Sequence, residues 1–477
     1  MMIPSLRDPA GCLFAHNGRI LRAISREAAP AFQAFHSSSL ARTLASRGEI
    51  ARTTVLRAAE VEALLADPEV ERPCRESDIG MVVEHEAVPF PSFPYEWPPE
   101  MLHAAACLTL ELAEKLLPEG MGLKDATPYN VLFRGPHPVF VDVLSVERRD
   151  PLDPTWLPYA QFVRTFLLPL LLNKHLGVPI AQSLTTRRDG IEPEEAYRLC
   201  GPLRKLLPPF LGLVSIPVWL GARQDPDGQA IYRKKSASDP ERARFILGCL
   251  FRQVRRTLDK LTPESGRKSP WSRYMVSDHN YTPEQFNEKQ AFVEEALKQV
   301  GPARVLDIGC NTGHFGLMAA RAGASVVATD SDPVVVGELW RAACREQLDV
   351  LPLVVDITRP SAAMGWRNRE CAPFLERAKG CFDLVLMLAL LHHLLVGERI
   401  PLTEVIDLAA ELTTRFLLVE FIAPDDSMFR RIARGRDQLF KGFTRQVFES
   451  ALARRFKLVR SCRFGESSRW LYLVGKN

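Results

Sequence analysis

Residues 305–313 read Val-Leu-Asp-Ile-Gly-Cys-Asn-Thr-Gly. An apolar run of strand length carries an acid, a glycine-containing turn comes next, and a helical pattern starts at His314. No other segment limits the fold as tightly. Gly309 and Gly313 let the backbone approach a ligand without Cβ clashes. Asn311 stands where another glycine is common, and Asn tolerates left-handed backbone better than most residues. A strand, a tight turn and a helix in that order open an α/β sheet, in which ligands bind beyond the carboxyl ends of the strands where strand order reverses.

The C-terminal stretch of the chain repeats this pattern. Strands are expected at 303–308, 325–329, 350–355, 382–388, 415–421, 456–460 and 470–474, with helices between most of them. That alternation specifies a mainly parallel sheet covered on both faces. The second strand ends at Asp330 and the third at Asp356, while the fourth opens with Phe382-Asp383. A carboxylate about twenty residues past the glycine turn can accept bonds from two ribose hydroxyls. A dinucleotide is the rival ligand, but its G-x-G-x-x-G fingerprint fails here, with Asn at 311 and His at 314. Asp307 also suits a cationic ligand better than a pyrophosphate.

In order and spacing this series resembles the motifs of class I S-adenosylmethionine-dependent methyltransferases. The resemblance implies a Rossmann-like domain over residues 271–477 with S-adenosyl-L-methionine as cofactor. The implied cofactor-binding residues are Asp307, Gly309, Cys310, Asn311 and Gly313 at the turn, Asp330 and Ser331 after the second strand, Asp356 and Ile357 after the third, and Leu388 at the exit of the fourth. That exit continues Leu388-Ala-Leu-Leu-His-His393, which in this family lies beside the reactive methyl. Methyl transfer needs a nucleophile lined up with the methyl, and a hydroxyl acceptor benefits from a base with a pKa near neutrality. His392 and His393 are therefore the candidate catalytic residues, with Glu420 at the end of the fifth strand as a group to hold the acceptor. A divalent ion among these residues, Asp425 and Asp426 has no known ligand spacing behind it, and helix capping is the plainer expectation. Tyr274, Tyr281 and Lys289, in the segment before the first strand, are candidate lid contacts.

The front half is of another kind. His16-Asn17-Gly18 reads as a hairpin turn, a helix is expected over 28–46, strands over 50–56 and 80–86, and the Pro-rich stretch 89–99 as a connector. Asp125, Asn130 and, in a following strand, Asp142 resemble the catalytic loop of protein kinases and aminoglycoside phosphotransferases. Leu123 stands where such a loop has His or its equivalent. No lysine precedes Lys115, and no Gly-rich loop is present. The expectation is an α+β, kinase-like module over 1–180 that these departures leave short of the parts for phosphoryl transfer, then a helical connecting segment over 181–270. Over its whole length the chain resembles a bacterial family of fused methyltransferases that includes the rhizobial host-specific nodulation type. The matching stretches are 94–98, 123–130, 306–313, 360–369 and 389–394. That resemblance implies a small-molecule or saccharide-type acceptor, most simply methylated on oxygen. A non-catalytic protein that binds the cofactor, or an enzyme whose front half phosphorylates or binds nucleotide, stays open.

Composition excludes little else. The net charge of +4 neither demands nor forbids an acidic partner. Residues 181–273 carry 18 Lys and Arg against 10 Asp and Glu, including Arg233-Lys234-Lys235. Without interleaved aromatics, solvated helix faces explain that excess better than nucleic acid. Ten scattered cysteines with no C-x-x-C pair argue against structural zinc and against a disulfide-stapled domain. The first residues lack a signal-peptide pattern, and the apolar run near Phe166–Leu172 falls short of the roughly 20 residues a membrane span needs. A cytoplasmic protein is expected. Oligomeric state is not legible.

Overall fold

A computed structural model describes residues 8–67, 70, 78–221, 236–274 and 281–477. The Arg233–Lys235 triplet and His279, in the segment expected to lid the cofactor, lie outside the described residues. Two compact units emerge. The first comprises Met1–Phe133, Pro138–Pro263 and Met364–Cys371, the second Arg134–His137, Glu264–Ala363 and Ala372–Asn477. Residues 181–263 thus cluster with the front half of the chain.

In the first unit, β1 (Gly11–His16) and β2 (Arg19–Ser25) form an antiparallel hairpin. Its two turn residues, Asn17 and Gly18, both have positive φ (49° and 76°), as a tight hairpin matching strand twist requires. β3 (Thr53–Val55) and β4 (Ile79–His85) complete a sheet of order β1-β2-β4-β3. The single helix expected over 28–46 is two helices, Ala29–His36 and Ser39–Ser46. Ser38 breaks it, because its hydroxyl accepts the Ala41 N–H at 3.0 Å and caps the second helix. Two short pairs come next in the chain, β5 (Met121–Leu123) with β8 (Val146–Arg148) and β6 (Val131–Arg134) with β7 (His137–Phe140). Long helices at Pro99–Leu116 and Pro240–Leu261 pack on one another.

The second unit holds seven strands: β9 (Arg304–Ile308), β10 (Ser325–Asp330), β11 (Val350–Val354), β12 (Phe382–Met387), β13 (Thr413–Ile422), β14 (Phe456–Arg463) and β15 (Arg469–Lys476). They are ordered β11-β10-β9-β12-β13-β15-β14. The first five in that order run parallel, and β15 is antiparallel to both its neighbours. The chain steps outward from β9 to β11, then returns to β12 on the other side of β9. Strand order therefore reverses between β9 and β12, which opens a crevice at their carboxyl ends. Val305, Val326, Leu384, Leu386, Leu418 and Leu473 are buried in one core with Val293, Ala296 and Leu297 of the helix Pro283–Val300. Thr282 and Gln285 close a capping box at that helix's start, and Gly301, at φ 54°, ends it. Among the described residues no helix is long and apolar enough to cross a membrane.

Candidate active site

The turn after β9 is held by the neighbouring strand. The N–H groups of Gly309 and Cys310 both donate to the Thr329 carbonyl, at 2.8 and 3.0 Å. Asn311 adopts φ 52°, as its short side chain tolerates. Its N–H donates to Asp330 Oδ2 at 2.9 Å, and its Nδ2 donates to the Trp271 carbonyl at 3.0 Å. Gly313 is required for another reason: at φ 80°, a Cβ there would meet Leu339 Cδ1 at 2.2 Å.

This turn forms one side of a cavity of about 300 Å³. Of the sequence candidates, Gly309, Asn311, Asp330, Ser331, Asp356, Ile357 and Leu388 line it. Asp307, Cys310 and Gly313 do not. Asp307 is buried under the first turn of the helix His314–Arg321, where the Gly316 N–H bonds it. Burial, and then the charge of Asp330, pushes its carboxyl up to about 7. Burial also raises Asp330. Two desolvated acids facing each other are a poor environment for a phosphate and a good one for a cation. Asp330 accepts the backbone N–H groups of Asn311 on Oδ2 and Asp332 on Oδ1. Asp356 is fixed by its own turn, accepting the Thr358 N–H and hydroxyl on Oδ1. Asp383 lies at the far end of the sheet, where Oδ2 pins the Ala303 and Arg304 N–H groups. It takes no part in the crevice.

The two histidines separate. His393 opens a widened, π-type turn (His393–Gly397), lines the cavity and stands edge-on to Trp271 at 5.3 Å between ring centroids. Burial lowers it to about 4, so its imidazole is neutral at pH 7. His392 is 3% exposed and does not line this cavity; burial, followed by the charge of His393, drives it well below its ordinary value.

Glu420 is fully buried. It accepts from Tyr281 Oη and Lys289 Nζ, both at 2.7 Å, and from the Ala389 N–H at 2.9 Å. Ala389 has φ 52°, a conformation that costs a non-glycine residue about 1–2 kcal/mol. Glu420 thus holds a strained residue of the cavity wall. Arg469 of β15 lies over the Tyr281 ring and forms a two-point pair with Asp426. Asp426 also caps the helix Ser427–Ala433. Of the lid candidates, Tyr274 lines the cavity, whereas Tyr281 and Lys289 belong to this buried network. Burial pulls the Lys289 ammonium down against the opposing pull of Glu420. Among the described residues no cluster of three or more His, Cys, Asp or Glu could hold a metal ion.

Sequence reasoning singled out neither Trp271 as a cavity wall nor the run Leu394–Glu398. Trp271 carries no motif, and its role depends on Asn311 reaching its carbonyl. A second cavity, of about 1200 Å³, shares Trp271, Tyr274, His393, Gly397 and Glu398 with the first.

A sheet of this order, with acids at the tips of β10 and β11 and a glycine turn after β9, defines a class I S-adenosylmethionine-dependent methyltransferase, an enzyme that transfers methyl groups. A family model described as a methyltransferase domain matches residues 281–457. The chain belongs to the family of the nodulation protein NoeA of Rhizobium meliloti (strain 1021), being 30% identical to it over 474 residues, 98% of this chain and 94% of that one. Among solved structures it is similar to the N-methyltransferase NodS from Bradyrhizobium japonicum WM9, at 17% identity and a TM-score of 0.31 over 42% of this chain and 98% of that one. It is also similar to magnesium protoporphyrin IX methyltransferase (ChlM) from Synechocystis PCC 6803 with bound SAH, at 20% identity and a TM-score of 0.31 over 43% of this chain and 92% of that one.

Proposed function

We propose that the enzyme methylates a small-molecule or saccharide-type acceptor on oxygen, with His393 as general base. The observation that carries this reading is that His393 lines both cavities; burial lowers its imidazole to about 4, so it is unprotonated at pH 7 but a weaker base than the near-neutral one expected from the sequence. When bound, S-adenosylmethionine supplies an electrophilic methyl group. Asp330 would hold the ribose hydroxyls, and Asp356 would accept from the adenine amine. The backbone at Gly309 and Asn311 would flank the rest of the nucleoside. Asp307 acts from beneath the turn, as a charge that favours a cationic ligand. Glu420 acts as a positioning residue through Ala389, and His392 packs behind His393. A neutral imidazole can take the hydroxyl proton of an acceptor seated in the larger cavity as its oxygen attacks. The first unit is read as a kinase-like module that does not transfer phosphate. Arg22 of β2 donates to Asp142 Oδ1 at 2.8 Å and Ser145 donates to Oδ2 at 2.6 Å, so a guanidinium already occupies the face on which a metal ion would sit.

The test is turnover of the cofactor, followed as S-adenosylhomocysteine release over a panel of hydroxyl-bearing acceptors. His393→Ala should lower kcat by about 100-fold, within the range of general-base effects, with little change in cofactor affinity. Full turnover in that variant would remove the base. Cofactor binding without turnover on any acceptor would favour a non-catalytic binding protein.

A further inference from the structure

The larger cavity has a composition that an ordinary sugar or small alcohol does not call for. Arg399, Arg431, Arg434 and Arg436 stand around it. Among the described residues none of the four has an ion-pair partner. Among the described residues that line the cavity the one acid, Glu398, is already paired with Arg359 at 2.6 Å. Met428, Ile432, Leu439, Phe440 and Phe443 form an apolar part of the same wall. Leu439 is 75% exposed. At about 1200 Å³ the space exceeds what drug-sized ligands usually occupy.

We infer that the methyl acceptor is an anionic amphiphile: one end carries a phosphate, sulfate or carboxylate for the arginines, and an apolar arm lies along Leu439, Phe440 and Phe443. The inference rests on the methyltransferase reading, because the cavity reaches His393 and Trp271 at the cofactor side. Four like charges around a partly apolar recess focus a positive potential and draw in an anion. Guanidinium groups match the flat two-oxygen face of phosphate, sulfate and carboxylate alike. The apolar arm supplies most of the binding free energy, and the charge selects the ligand and orients its nucleophile toward His393.

Titration calorimetry on the full chain with S-adenosylhomocysteine present tests this with octyl phosphate, octyl sulfate, octanoate and octyl glucoside, each below micelle formation, and with inorganic phosphate alone. The anionic octyl compounds should bind about tenfold or more tightly than octyl glucoside, and the advantage should shrink as salt rises. Ranking among the three anions identifies the preferred head group. Arg431→Gln combined with Arg436→Gln should erase the advantage, and the corresponding double Lys variant should restore part of it. S-adenosylhomocysteine affinity, measured on the same samples, should stay unchanged and shows that the variants are folded. Octyl glucoside binding as tightly as octyl phosphate, or a double Gln variant that keeps the preference, overturns the inference while leaving the methyltransferase reading intact. Failure of the cofactor product to bind at all overturns that reading itself.

Discussion

Asp307 is the residue whose chemistry differs most from its sequence reading. It occupies the motif position expected of an ammonium partner, yet it sits beneath the turn with its carboxyl raised to about 7. Because the folded value lies above the ordinary 3.8, its contribution to stability is full below that value and is lost as pH rises through about 7. Asp307→Asn should therefore stabilise the cofactor-free protein at pH 8 and change it little at pH 4, as thermal melts would show. A bound cation pulls the other way and favours the ionised carboxylate. Affinity for S-adenosylmethionine should rise from about pH 6 to about pH 8, with proton release detectable by calorimetry in buffers of different ionisation enthalpy. An affinity flat across that range would mean that Asp307 does not sense the ligand. His393 shifts with the opposite sign. Its folded value near 4 lies below 6.5, so its contribution is present above 6.5 and lost as pH falls toward 4.

At the level of elements, the sheet and the first side of the crevice are legible in the chain because short-range patterns encode them. Apolar runs tipped with acids gave β9, β10 and β11 to within a residue or two, and the glycines marked the turn. What the chain hides is made by contacts between distant segments. Lys289 falls on an otherwise apolar helix face, and only Glu420, 131 positions away, explains it. The split of residues 28–46 at Ser38 was available in the run of serines, but the apolar periodicity on either side masked it. The Lys289–Glu420 pair is 3% and 0% exposed. Removing one partner of such a pair costs about 3–5 kcal/mol, because a charge stays buried alone. Lys289→Ala should lower unfolding stability by that order in urea titrations, and Lys289→Met with Glu420→Gln should recover part of it. Glu420→Gln alone should cut kcat more than cofactor affinity, since it loosens Ala389 rather than a ligand contact. Equal loss in both would argue against a positioning role. Gly313→Ala belongs at this scale too: the clash with the buried Leu339 should destabilise the helix–strand packing by about 1–3 kcal/mol.

For the molecule as a whole, the two units divide the expected responses. S-adenosylhomocysteine at a hundred times its Kd should stabilise the unit that binds it by about 2.7 kcal/mol, seen as an upward shift of a calorimetric transition. Mg-ATP should shift nothing, because Arg22 and Ser145 already take both oxygens of Asp142. A clear shift with Mg-ATP that Asp142→Ala abolishes would return nucleotide binding to the first unit. Asp142 was visible in the sequence, but the guanidinium bonded to it was not, since Arg22 lies 120 positions earlier.

The indole of Trp271 is a wall of both recesses, and its own carbonyl is tied to Asn311. Occupants of the two recesses that both reach this ring share a single aromatic plane. The molecule therefore carries its own optical gauge: emission from that ring should respond to each guest, and the response to the second should depend on whether the first is in place.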